Sequence, residues 1–283
     1  METGQMAGAK ERFIDVPGGR LLAKSEGAGP TIVLIHAAIV DHRSWDAMVP
    51  GLVAAGFRVV RYDYRAFGAS TTADVDFSNR ADLLAVLDAF GIGRAALVGN
   101  SRGGQIAFDT AIEFPKRVVA VVGVGAGLGG FEGEPTPAEL AIFAEGERLE
   151  SAAELDIEAL VDLEVRVWVD GPGQPPDRVD PAIREAVRAM DRLLHEPGRV
   201  KGRPIALDPR ANDRLGELRC PVLALAGALD VSDVVQTAHR LATRAPNARA
   251  VVWPDVAHMI GMEAPDRLNA LIVDFLAPLR PWE

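Results

Sequence analysis

What most constrains the fold is an alternation. Short, continuously apolar runs recur along the chain, "TIVLIHA" (31–37), "FRVVRYD" (57–63), "AALVGN" (95–100), "RVVAVVGVG" (117–125) and "PVLALAGALD" (221–230). Between them lie stretches with apolar residues at helical spacing, such as 77–92 with Leu83, Leu84, Leu87 and Phe90. A strand buried on both faces reads as such a run, so the pattern predicts a parallel sheet covered by helices on both sides. The segments "RFIDV" and "RLLAKSE" flank "PGG" and predict an antiparallel hairpin at the start.

The rhythm breaks between residues 130 and 207. Helical stretches dominate there, with "VRVWV" the one strand-like run and "GPGQPPD" a loop. We read 1–129 and 208–283 as two parts of one α/β core, and 130–207 as a helical cap inserted between them. With 48% hydrophobic residues the chain can bury a large core.

At "GNSRGG" (99–104) the third apolar run passes directly into a helix. A serine flanked by glycines two residues away on each side permits a sharp strand-to-helix turn. It holds Ser101 above the sheet at a helix N-terminus, where developing negative charge is favoured. A capping serine would occupy the same position. A nucleophile needs a base and an acid to orient it. Of five histidines, only His258 follows the last predicted strand and precedes the final helix. His36 ends a strand before the turn, His42 opens the first helix, His195 lies in the cap and His239 is expected on the surface. Asp230 closes the strand "PVLALAGALD", at the end where open sheets bind ligands. Asp233 and Asp255 are its rivals, the first read as a helix-terminus charge and the second as too near His258.

These residues resemble the α/β-hydrolase superfamily, over 30–127 and 210–279. "VRYDYRAFGAS" is similar to its D-x-R-G-x-G-x-S segment at Asp63, Arg65, Gly68 and Ser70, and "IHAAIVDHRSW" to its oxyanion loop at His36 and Trp45. The resemblance implies an α/β-hydrolase fold, a mostly parallel eight-stranded sheet flanked by helices with an inserted helical cap. It also implies an oxyanion hole from the backbone N–H groups of Ala38 and Arg102. The chain departs from the pattern at Ala37 and Ala66, where the family carries glycine. Alanine resists positive φ, which predicts a different loop path and leaves open whether amide 37 or 38 faces the oxyanion.

The expected activity is hydrolysis of a small carboxylic ester or lactone by Ser101, His258 and Asp230, similar to 3-oxoadipate enol-lactonase-like enzymes. Two alternatives stand beside it. The Gly-Asn-Ser elbow resembles meta-cleavage C–C hydrolases, and some members of the superfamily are ligand receptors without catalysis. Phe143 and Trp168 are candidate pocket walls, unless they pack the cap's own core. Arg102 either pairs with a carboxylate or lines the pocket and favours anionic substrates.

Other classes are disfavoured. A net charge of −10 argues against nucleic acid and anionic membrane. There is no H-E-x-x-H motif or Cys/His cluster, so neither a metal nor a cofactor is expected. "GAGLGG" (125–130) is followed by two prolines rather than by a helix start, so no dinucleotide site is expected. Cys220 is the single cysteine and reads as a buried thiol at a strand edge. Without a disulfide, and without an apolar core in "METGQMAGAK", the chain is expected to be cytoplasmic.

Overall fold

The structure, a computed structural model, describes residues 10–282. The expectation of no signal sequence rests on residues 1–9 and falls outside them. The chain runs β1 (Lys10–Val16), β2 (Gly19–Gly27), β3 (Thr31–Ile35), α1 (Val49–Ala54), β4 (Arg58–Tyr62), β5 (Thr71–Thr72), β6 (Asp76–Phe77), α2 (Asn79–Ala89), β7 (Ala95–Asn100), α3 (Arg102–Glu113) and β8 (Val118–Val124). The cap follows with α4 (Pro137–Glu150), α5 (Ile157–Val165), α6 (Pro181–Leu194) and β9 (Arg203–Pro204). The core resumes with β10 (Val222–Gly227), α7 (Ser232–Arg244), β11 (Ala248–Trp253), α8 (Ile260–Glu263) and α9 (Pro265–Leu276).

The main sheet has the order β1-β2-β4-β3-β7-β8-β10-β11, with the two-residue β5 pairing to β2. β1 and β2 pair antiparallel, as do β2 and β4. Every pairing from β4 to β11 is parallel. Alternate residues of one strand feed different cores. Val33, Ile35 and Leu97 belong to one apolar cluster, and Ile32, Leu34, Ala96 and Val98 to the cluster on the opposite face. Both faces are therefore covered, which is why these strands read as unbroken apolar runs.

The chain steps from β3 to β4 on one side, then returns to β7 on the other. This switch opens a crevice between the C-terminal ends of β3 and β7. The segment after β3 carries His36 to Ala38, and the turn after β7 carries Ser101.

Two local expectations need correction. "VRVWV" is not a strand: Arg166–Asp170 continues α5 as a wider π turn. A short valine-rich run fits either period, and here Val165, Val167 and Val169 are buried against helices with no sheet edge to join. The first predicted helix is divided into a 3-10 turn at His42–Trp45 and α1.

Candidate active site

The serine turn is strained and specific. Ser101 has φ 55° and ψ −118°, and its side chain makes no capping hydrogen bond to α3. A capping role is therefore not what holds it. Such a conformation costs about 1–3 kcal/mol for a non-glycine residue. Its surroundings enforce it. The Ser101 N–H donates to the Val124 carbonyl at 3.0 Å. A Cβ at position 99 would overlap the Gly103 carbonyl, and one at 103 would overlap the Ile35 carbonyl. Glycine at both positions lets α3 sit directly on β7 and β3. Arg102 is the first residue of α3, so its N–H has no acceptor within the helix.

Asp230 stands beyond the end of β10. Its Oδ1 accepts from the Val231 N–H at 2.8 Å, and its Oδ2 accepts from His258 Nδ1 at 2.7 Å. Both side chains are buried. With Nδ1 carrying the proton, His258 keeps a lone pair on Nε2. The rival carboxylates are engaged elsewhere. Asp233 accepts from the Gly133 N–H, and Asp255 pairs with Arg267 at 2.8 Å on the surface.

Asn100 is a site residue that the sequence reading passed over. Its Nδ2 donates to the Val124 carbonyl at 2.8 Å and to the His258 carbonyl at 3.2 Å, tying the histidine loop to β8. Gly125, with φ 52°, lies against the imidazole, where a Cβ would stand 3.2 Å from Nδ1. A polar residue ending an otherwise apolar strand was the available signal for Asn100.

On the other side of the serine, His36 is fully buried and stacked on Tyr64 at 4.1 Å. Its Nδ1–H donates to the Ala37 carbonyl at 2.7 Å, and its Nε2 accepts from the Tyr64 N–H at 3.3 Å. Burial lowers its pKa, and this pairing fits a neutral ring. Ala37 is buried, and its carbonyl also accepts from the Val40 N–H. Ala38 is the residue that reaches the cavity, which favours its amide over that of Ala37 for an oxyanion. The expectation at Ala66 needs correction, because this alanine does adopt the glycine conformation, with φ 67°. The loop is held by Asp63, which accepts from the His42 and Ala69 N–H groups and from His42 Nδ1, at 2.8, 3.0 and 2.7 Å. Burial acts most strongly, to raise Asp63, but the hydrogen bonds from His42 and the nearby His36 and His42 rings together outweigh it, and its pKa falls below the usual carboxylate value.

Helices between β8 and β10 pack against this centre. Ala37, Ile39, Val40 and Met259 of the core pack with Val165, Val169, Val187 and Met190 of the cap. Arg178 donates to the Asp170 and Val169 carbonyls and to Glu263, whose other oxygen accepts from the Ala257 N–H. Trp168 lies against His258, ring centroids 4.7 Å apart.

A cavity of about 490 Å³ opens beside this centre. It is bounded by Ala38 and Arg102 near the serine and by Glu164, Asp191, His195 and Lys201 from the cap. Arg102 lines this cavity. Phe143 does not. It borders a separate cleft of about 200 Å³, which it shares with Trp168 within the cap.

Comparison with known proteins follows this geometry. The model of the alpha/beta hydrolase family matches residues 32–271, and the chain belongs to that family. It is 28% identical to the 2-hydroxy-6-oxononadienedioate/2-hydroxy-6-oxononatrienedioate hydrolase of Paraburkholderia phymatum, over 95% of this chain and 96% of the relative. It is 30% identical to rhodomycin D methylesterase DnrP of Streptomyces peucetius, over 88% and 92%. Among solved structures it is similar to Est816, described as an N-acyl homoserine lactone degrading enzyme. There the TM-score is 0.69 at 27% identity, covering 93% of this chain and all of the other. Hydrolases of different bonds thus share this fold. No helix among the described residues is long and apolar enough to cross a membrane.

Proposed function

We propose that the protein is a serine hydrolase that cleaves a small carboxylic ester or lactone through an acyl-enzyme. The observation that carries this reading is the pairing of a strained, uncapped Ser101 with a buried Asp230–His258 hydrogen bond of 2.7 Å. In this mechanism Ser101 Oγ attacks the carbonyl carbon and His258 Nε2 takes its proton. Asp230 holds the imidazole and stabilises the imidazolium. The Ala38 and Arg102 amides receive the oxyanion, and the start of α3 adds a favourable dipole. His258 then protonates the leaving oxygen, and water cleaves the ester to Ser101 by the same route. His258 is almost wholly covered, with Trp168 against its ring.

Labelling with a fluorophosphonate tests this directly. The wild type is expected to be labelled, and Ser101→Ala to lose both labelling and about 10⁴-fold or more of its esterase rate. A folded wild-type protein that resists the reagent, or labelling that survives Ser101→Ala, would exclude the serine mechanism. A second reading, C–C bond hydrolysis, is favoured by the near full-length similarity to the dioate hydrolase. A panel of p-nitrophenyl esters, lactones and an enolic diketone dioate separates the two readings by which bond is cleaved.

A further inference from the structure

The 490 Å³ cavity is also lined by a polar group that this mechanism does not use. Glu164 on α5, Asp191 on α6 and His195 just after α6 each place one potential ligand atom within 4.8 Å of the other two. Asp191 is almost completely buried, with 1% of its side chain exposed, and neither of its carboxylate oxygens has a hydrogen-bond partner. Glu164 Oε2 and His195 Nε2 also lack one. His195 pairs with Asp191 at 3.4 Å, longer than a charge-assisted hydrogen bond, so this buried carboxylate, costly if left unmet, is only loosely compensated.

The spacing identifies the kind of partner. His195 Nε2 lies 3.4 Å from Asp191 Oδ1 and 3.6 Å from Glu164 Oε2. Charge-assisted hydrogen bonds would draw such atoms to about 2.7–2.9 Å. Bonds of about 2.0–2.2 Å to a shared tetrahedral ion would hold them about 3.3–3.6 Å apart. The helix supplies the arrangement, since Asp191 and His195 are four residues apart and share one face. One imidazole nitrogen with two carboxylates suits a borderline divalent ion such as zinc or manganese better than calcium, which takes oxygen ligands.

We propose that Glu164, Asp191 and His195 form a divalent transition-metal site in the cap. The ion would tie α5 to α6 and present its remaining face to the cavity that Ala38 and Arg102 also line. There it would take an oxygen of the far end of a bound substrate. This inference stands apart from the serine mechanism, and its test needs no turnover.

Chelator-treated, full-length protein is titrated calorimetrically with zinc chloride and, separately, with manganese chloride. Wild type and Ser101→Ala are expected to bind one ion of at least one metal with equal affinity. Asp191→Asn and His195→Gln are expected to lose more than the roughly 100-fold that disturbing an outer-shell partner can cost. Glu164→Gln gives the same comparison if either variant fails to fold by circular dichroism. Failure of folded wild type to bind either ion saturably would overturn the site, as would one-to-one binding that survives these substitutions. If neither ion binds but an alkylammonium ester inhibits wild type and not Asp191→Asn, the cluster recognises an organic cation and the metal assignment is wrong.

Discussion

Two clusters in this chain have nearly the same composition and opposite circumstances. Asp41, His42 and Asp63 lie in the core beneath the oxyanion loop, and Glu164, Asp191 and His195 lie in the cap. Both bring three potential ligand atoms within 4.8 Å. In the core cluster backbone amides and a guanidinium fill the carboxylates. Asp63 receives two backbone N–H groups and the His42 ring, and Asp41 receives Arg43 and its N–H. Only the outer ring nitrogen of His42 lacks a partner. In the cap cluster, residues from two helices meet where the backbone N–H groups are already spent along the helix axes. Equal chemistry therefore yields a brace in one place and a candidate binding site in the other. The difference is whether the local chain has free donors to offer.

Four substitutions test this contrast. Asp63→Ala strips the acceptor from three donors, two of them buried, so it is expected to cost about 3–5 kcal/mol in denaturant unfolding. A loss below about 1 kcal/mol would show that the core cluster is no brace. A third buried carboxylate, Asp109 on α3, has one oxygen without a partner, and burial raises its pKa to about 6. A carboxyl raised in the folded state contributes its stability below its unfolded pKa and loses it as pH rises through about 6. The charged form then costs at most about 3 kcal/mol at pH 8. Asp109→Asn is expected to raise the melting temperature at pH 8 and to leave it nearly unchanged at pH 4. An advantage that does not grow with pH would refute the assignment. Glu164→Gln, in chelator-treated protein, removes a carboxylate oxygen that has no hydrogen bond to lose. It is expected to change stability by about 1 kcal/mol or less. A cost equal to that of Asp63→Ala would erase the contrast. The smallest effect is expected at Arg102, which is exposed at the cavity wall. Arg102→Met is expected to raise KM for acid-bearing esters by about tenfold or less, and hardly at all for neutral ones. Equal changes for both would return this side chain to a structural role.

How much was legible in advance varies by element in the same way. The strands β3, β4, β7, β8 and β10 could be located because burial on both faces leaves a signature within each run. The serine turn was legible because a sharp turn between packed backbones demands glycine at fixed offsets. Asp230 and His258, 28 residues apart, could be nominated from their places at the ends of elements. Their 2.7 Å contact exists only through the register of β10 beside β11. The cap resisted reading. Its valine-rich run fitted a strand as well as a helix, and Phe143 was assigned to a pocket it does not line. Ala66 was misjudged because residue identity speaks for intrinsic preference alone. The Asp63 carboxylate and its three donors hold a conformation that alanine by itself disfavours.

The alternating layers, the sharp serine turn at a helix start and the chain order of Ser101, Asp230 and His258 could all be read in advance. Each of these depends on neighbours within a few residues or on the ends of regular elements. It took the packed structure to show that Ala38 and Arg102 line the cavity and that Glu164 meets Asp191 and His195 across two helices. Those outcomes depend on where separate elements pack. Side chains far apart in the chain carry no mutual signal until burial brings them together and leaves some of them without a partner.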